Sequence, residues 1–179
     1  RDEMLRIPAV AVYYHAYQML QLPEENEPFE RLKACLEEHS HRFSGDEQRS
    51  LYMLTINGCI RRMNAGRREY VQVALDLYRT ALDRGLLLEN GILTGFNYKN
   101  IIRLAAALGE HTWAEQFLRQ YRLSLHPRER DNFYGYNLAS LYFQQQDYAR
   151  AMPLLQQVEL EDALNNLDAR RMLLRSYYE

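Results

Sequence analysis

The sequence predicts an all-α fold, an irregular α-solenoid in which short helices form antiparallel pairs. Apolar residues recur at spacings of three and four along almost the whole 179-residue chain, which is the period of an amphipathic helix. No segment shows the sustained alternation and β-branched enrichment of a half-buried strand. The chain contains only 8 Gly and 5 Pro, so few positions interrupt the helical pattern.

Turn residues divide this pattern into four helix pairs and a final unpaired helix. The segment LPEENEP at 22–28 separates the first two helices, and FSGDE at 43–47 supplies an acidic helix start. Gly66, Gly85 and Gly109 stand where helices are expected to end, and Pro127 suits the first turn of the next helix. The predicted helices span residues 4–21, 28–40, 46–65, 68–84, 94–108, 111–125, 128–145, 147–158 and 167–178.

Composition and charge narrow the class of protein. With 47% hydrophobic and 26% charged residues, the chain is globular rather than disordered. A net charge of −2 gives no general attraction to nucleic acid or to an anionic membrane, although residues 51–130 are mildly basic between acidic ends. The longest apolar run, at 7–14, is too short to cross a bilayer. Two cysteines are too few for a disulfide framework, which favours a reducing compartment, so we expect a cytoplasmic location. Because the sequence begins at Arg1 rather than Met, we also expect it to be a piece of a longer chain.

One stretch, YNLASLYFQQQDYARAMPLLQQV at 136–158, carries a repeat signature. Its pattern residues are Leu138, Ala139, Tyr142, Ala151, Leu155 and Val158. They resemble the tetratricopeptide repeat, in which an aromatic, a Leu-small pair and a second aromatic precede Ala and a bulky residue four later. Two positions depart from that pattern, because Gly135 stands in place of the first aromatic residue and Ala163 in place of the closing proline. The resemblance implies a right-handed superhelix of stacked helix pairs.

Further copies of the pattern follow at similar spacing. Shifting back by 37 residues places Tyr98, Ile101, Ala105, Ala114, Leu118 and Tyr121 in equivalent positions, with Gly109 at the hinge. A looser third copy consists of Leu54, Thr55, Gly58, Ala74, Tyr78 and Ala81. We therefore expect a single domain, 1–179, built from pairs at 4–40, 46–84, 94–125 and 128–158 and an orphan helix at 167–178. The whole chain also resembles an internal or C-terminal part of large bacterial helical-repeat proteins, which implies no particular activity.

The 14 tyrosines are expected to fill gaps between helix layers. The sequence predicts that Tyr13, Tyr17, Tyr78, Tyr142 and Tyr177 lie in the core. Tyr136 lies about 120° around its helix from Tyr142, since successive residues are about 100° apart.

No motif for a catalytic nucleophile, a phosphate loop or a dinucleotide site appears, so we expect neither an enzyme nor a cofactor. Cys35, His39 and His41 form the pattern C-x3-H-x-H, with the first two one helical turn apart. Structural zinc usually takes four ligands, and no fourth candidate lies nearby in the sequence. We therefore expect a core thiol and two solvated histidines rather than a metal site.

The resemblance places possible binding residues beside the pattern residues, on the inner groove. In the 128–158 pair these positions are Tyr136, Asn137 and Ser140. In chaperone-binding tetratricopeptide domains, Lys, Asn and Arg in the corresponding positions of a first helix clamp the terminal carboxylate of a peptide.

In the 94–125 pair the corresponding positions are Lys99, Asn100 and Arg103. Cations with an amide donor suit a carboxylate through charge-assisted hydrogen bonds. Tyr136 and Ser140, however, replace the basic residues that would complete the clamp. The alternative is that Lys99 and Arg103 are solvated or pair with a neighbouring acidic residue.

These observations leave three roles open. The first is a non-catalytic scaffold whose concave face binds a protein or peptide segment. The second is a pentatricopeptide-like RNA-binding repeat, suggested by ALDLYRTALDRGL at 74–86 and by a cluster of arginines, Arg61, Arg62, Arg67 and Arg68. The third is a structural arm of a larger protein. Self-association through an exposed face of the final helix, at Met172, Leu173 and Leu174, is also expected.

Overall fold

The structure is a computed structural model that describes residues 4–159 and 162–179. Its backbone contacts divide the chain into two compact units, Arg1–Leu87 and Leu88–Glu179. The described residues are 77% helical, with nine α-helices and one small two-stranded sheet. The predicted all-α class is therefore confirmed, apart from that sheet.

The N-terminal unit contains four α-helices. They are α1 (Pro8–Gln21), α2 (Asn26–His39), α3 (Gly45–Asn64) and α4 (Tyr70–Asp83), with short 3-10 helices at Met4–Arg6 and Ser40–Arg42. Helix α1 packs chiefly on α2, and α3 packs chiefly on α4. The core of the unit includes the fully buried side chains Phe29, Leu36, Tyr52, Ile56 and Tyr78.

Local sequence signals explain where helix α3 begins and how α3 and α4 end. The Glu47 amide donates to Ser44 Oγ at 3.3 Å, and the Ser44 amide donates to Glu47 Oε2 at 3.0 Å, which together form a capping box. The predicted acidic start at Asp46 and Glu47 is confirmed. Gly66 and Gly85 follow α3 and α4 with φ values of 89° and 69°, a backbone region that L side chains adopt only at a cost.

The C-terminal unit begins with a β-hairpin and continues with five α-helices. The strands are β1 (Leu88–Glu89) and β2 (Ile92–Leu93). The helices are α5 (Gly95–Ala107), α6 (His111–Tyr121), α7 (Arg130–Gln144), α8 (Tyr148–Gln157) and α9 (Ala163–Ser176), with a 3-10 helix at Arg122–Ser124. Helix α7 packs on α8, α6, α5 and α9, and so lies at the centre of the unit.

The hairpin corrects the expectation that no strand is present. Leu88 pairs with Leu93 and Glu89 with Ile92 around Asn90-Gly91, whose φ values are 51° and 78°. Positive φ at both central residues is typical of the type I′ hairpin turn, for which Asn-Gly is a preferred sequence. Strands of two residues are too short to show an alternating pattern, so only this turn could have revealed them.

Two helix pairs of the C-terminal unit turn with the same backbone geometry. After α5, Gly109 has φ 75° and the Glu110 amide donates to the Ala105 carbonyl at 2.9 Å. After α7, Gln146 has φ 61° and the Asp147 amide donates to the Tyr142 carbonyl at 2.9 Å. Both turns have the hydrogen bonding of a Schellman motif. Gly109 and Gln146 are 37 residues apart, the same shift that relates the two copies of the repeat pattern in the sequence.

Most residues of the repeat pattern are buried, but three of the five tyrosines predicted for the core are not. Ala105, Ala114, Leu118, Ala139, Ala151 and Leu155 are buried, as are Tyr78 and Tyr142. Tyr13, Tyr17 and Tyr177 are instead 49%, 58% and 60% exposed, so their prediction was wrong. Two of them make contacts at the surface instead: the Tyr13 hydroxyl donates to Glu47 Oε1 at 3.1 Å, and the Tyr177 hydroxyl accepts from the side-chain amide of Gln156 at 2.8 Å.

Candidate functional site

The six predicted binding residues lie on two helices of the C-terminal unit that pack against each other. Lys99, Asn100 and Arg103 lie on α5, and Tyr136, Asn137 and Ser140 lie on α7. Their exposure differs widely: Arg103 is exposed, while Lys99, Asn100 and Ser140 are half-buried. Tyr136 and Asn137 are each only 2% exposed.

The structure brings Lys99 and Tyr136 together. The Lys99 ammonium lies 5.4 Å from the centre of the Tyr136 ring, within the range of a cation–π interaction. The Lys99 ammonium also donates a hydrogen bond to Asn165 Oδ1 on α9. Burial lowers the pKa of Lys99 and the positive charge of Arg103 lowers it further, whereas Asp168 and Asp162 act in the opposite direction. The two predicted cations therefore share one electrostatic environment.

Asp168 of α9 lies at the centre of this environment. Tyr136 donates its hydroxyl to Asp168 Oδ2 at 2.8 Å, and Arg171 donates to Asp168 Oδ1 at 2.9 Å. Partial burial alone would raise the pKa of Asp168, but the hydrogen bonds from Arg171 and Tyr136 and the charges of Arg171 and Arg103 hold it below the ordinary value. We call Lys99, Arg103, Tyr136, Asp168 and Arg171 the Asp168 cluster.

Asn137 does not join the cluster, which corrects its predicted place on an open groove. Its side-chain amide donates to the Phe133 carbonyl one turn earlier in α7, at 2.8 Å, and the residue is buried. A side chain that is only 2% exposed presents no surface to a ligand. Whether the other predicted residues contact a peptide stays a prediction.

Three residues near the site escaped the sequence analysis: Asn165, Asp168 and Arg171. All three lie on α9, which begins at Ala163 rather than at the predicted residue 167. Asp162 caps this helix by accepting from the Asn165 amide at 3.0 Å. The Asp and Asn of the segment EDALNN were the available signal for this start, since Asp is a preferred N-cap residue.

The N-terminal unit uses two of its four clustered arginines internally. Arg62 is 2% exposed and donates to the carbonyls of Glu25 at 2.7 Å and Gly58 at 3.1 Å. Its guanidinium lies 4.6 Å from the centre of the Phe29 ring.

Arg67 is likewise occupied within the unit. It donates to Asn26 Oδ1 at 2.5 Å and to the Glu24 carbonyl at 3.1 Å. Arg61 and Arg68 are exposed. The charge available for a nucleic acid at this cluster is therefore smaller than the sequence suggests.

The cysteine and histidine pattern forms no metal-binding group among the described residues. No set of three or more His, Cys, Asp or Glu side chains converges there. Cys35 is half-buried, and His41 is exposed in the 3-10 helix after α2. The second cysteine, Cys59, is fully buried, and burial raises its pKa to about 12.

Comparisons of the chain with family models, curated proteins and solved structures gave no match. The tetratricopeptide resemblance therefore stays a prediction that depends on the residues named above. Within residues 4–159 and 162–179, no helix has both the length and the apolar character needed to cross a membrane.

Proposed function

We propose that the chain is a non-catalytic scaffold, with helix pairs of the tetratricopeptide-like solenoid type, that binds an acidic protein or peptide segment. The binding site consists of Lys99 and Arg103 of α5 with the adjoining surface of α7. The recognised group is a carboxylate, at the terminus or on a side chain of the partner. No chemical step is required of the site.

One observation carries this proposal: Tyr136, one of the predicted binding residues, already donates a hydrogen bond to a carboxylate, and the charge of Arg103, a second predicted residue, acts on the same group. Asp168 accepts a hydrogen bond from Tyr136 and is stabilised in its charged form by Arg103 and Arg171. Charge-assisted hydrogen bonds of this kind are stronger than neutral ones. The partly exposed setting also keeps the cost of desolvating a charged ligand modest, because neither Arg103 nor Lys99 is fully buried.

The experiment is a calorimetric titration with a short peptide whose last two residues are acidic and whose terminal carboxylate is free. Lys99→Ala and Arg103→Ala should each weaken binding about tenfold, since hydrogen bonds to charged groups contribute about 1.5–3 kcal/mol. Arg119→Ala is the matched control, because Arg119 is an exposed cation of α6 outside the site. Its affinity should stay within twofold of the unaltered protein.

The remaining outcomes separate the alternatives. If Lys99→Ala and Arg103→Ala bind the peptide as tightly as the unaltered protein, the site is wrong. If nothing binds, a structural arm becomes the better description. A single-stranded RNA oligonucleotide belongs in the same series: affinity that falls steeply with salt and depends on Arg61 and Arg68 would favour the RNA-binding role.

A further inference from the structure

Helix α9 contacts the proposed site with two polar side chains at once. Asn165 accepts from Lys99, and Asp168 accepts from Tyr136. Both bonds join α9 to other helices, unlike the bond between Asp168 and Arg171, which links residues three apart on α9 itself. Because a tyrosine hydroxyl has a single hydrogen to donate, a carboxylate that accepts it from Tyr136 must replace Asp168.

The rest of α9 contributes little apolar packing. Only Ala169, Met172 and Ser176 are buried along this 14-residue helix. Leu164, Leu167 and Leu174 are 76%, 68% and 61% exposed, on the opposite side. An element with few buried apolar contacts opens at a lower free energy than the core of its unit. The polar contacts at Asn165 and Asp168 are thus a substantial part of what attaches α9.

We propose that Asp168 is an internal competitor, a carboxylate of the chain itself that occupies the position of the partner's carboxylate while α9 is docked. This inference rests on the proposed function and adds a mode of regulation to it. An acidic partner binds only as α9 moves away, and a docked α9 lowers the apparent affinity. A tethered group acts at an effective concentration in the millimolar range, so it competes well with a dilute peptide.

The Asp168→Asn variant tests the competition directly. It keeps the size of the side chain and an oxygen acceptor for Tyr136, but it removes the negative charge. If α9 is docked about nine-tenths of the time, the variant should bind the acidic peptide about tenfold more tightly than the unaltered protein. Asp131→Asn is the matched control, because Asp131 is an exposed carboxylate of α7 paired with Arg122 rather than with the cluster.

A second variant tests whether tighter binding comes from the release of α9 rather than from the loss of a negative charge near the peptide. Asn165→Ala removes the contact with Lys99 without altering any charge, and it should also strengthen peptide binding. Hydrogen exchange gives an independent readout: the amides of α9 should exchange faster in free Asp168→Asn than in the unaltered protein. Addition of peptide to the unaltered protein should accelerate exchange in α9 alone.

The outcomes distinguish this inference from the proposed function. Binding by the unaltered protein without any gain in Asp168→Asn and Asn165→Ala would overturn the competition and leave the proposed function standing. Peptide binding that slows exchange in α9 would overturn it as well. Absence of binding by the unaltered protein and by both variants would overturn the proposed function and this inference together.

Discussion

The two units of the molecule use charged side chains in opposite ways. In the N-terminal unit, Arg62 is buried and its guanidinium is held by two backbone carbonyls and an aromatic ring of the same unit. In the C-terminal unit, the charges of the Asp168 cluster lie partly exposed, and Asp168 and Arg171 are about 30% and 63% accessible. The contacts of Arg62 hold the loop before α2 against α3, whereas the Asp168 cluster places cations near a partly exposed carboxylate.

The difference indicates which unit can exchange a partner. Arg62 is only 2% exposed, so a ligand could reach its guanidinium only after its contacts within the unit were broken, which would leave a buried charge without partners. The Asp168 cluster is partly exposed to solvent, as the proposed exchange of one carboxylate for another requires. A count of basic residues in the sequence cannot make this distinction, since it assigns more charge to the arginine-rich segment 61–68.

The largest effect is expected at the buried cation. Arg62→Ala should lower the free energy of unfolding by about 2–4 kcal/mol, because it removes charged hydrogen bonds and the contact with Phe29. Arg61→Ala, at the neighbouring exposed position, should change it by less than about 0.5 kcal/mol. Urea unfolding followed by circular dichroism measures both. Equal stability of the two variants would contradict a structural role for Arg62.

A smaller effect is expected where the C-terminal unit depends on packing rather than charge. Ala151 is fully buried in α8, which packs on α7. Ala151→Leu should destabilise the protein by about 1–3 kcal/mol through overpacking, as judged from thermal melting. Ala149→Leu, on the exposed side of the same helix, is the control. If both variants melt together, Ala151 does not set the approach of the two helices.

The smallest effect is expected on the docking of helix α9 when the pH is lowered. The lowered pKa of Asp168 means that its contribution to α9 docking is fully present above the ordinary value of 3.8. That contribution is lost as the pH falls through the lower pKa of the folded state, because the protonated acid no longer attracts Lys99, Arg103 and Arg171. Protection of α9 amides from exchange should therefore fall below pH 3.8. The Asp168→Asn variant should lack this component, and an identical profile in the variant would exclude Asp168 as its source.

Much of the fold could be predicted because its determinants are local. Helical periodicity is set by neighbours three and four apart, so the helices were found even where their ends shifted by a few residues. Pro8 moved the start of α1 to residue 8, since it occupies the first position of the helix. The small pattern residues Ala139 and Ala151 are buried, as their spacing implied.

Exposure and partners could not be predicted in the same way. Tyr17 has the spacing of a core residue, yet it is exposed because burial depends on which helix lies opposite. Met172 shows the reverse error: it was expected on a free face with Leu173 and Leu174, but it is buried, whereas Leu174 is exposed as expected. Lys99 and Tyr136 lie close together, as their predicted positions on neighbouring helices imply, but Asp168 comes from a helix 32 residues beyond Tyr136, which no local pattern indicates.

Gln146 has a consequence for how such repeats are detected. Its left-handed backbone costs an L residue about 1–2 kcal/mol, yet the turn it forms has the same hydrogen bonds as the one at Gly109. The turn is thus defined by its backbone hydrogen bonds and its positive φ, not by glycine. A search profile that requires glycine at the hinge would discard the 130–157 helix pair, the one whose other residues resemble the repeat most closely. A profile that instead accepts a helix-capping Asp after the hinge, here Asp147, would retain it.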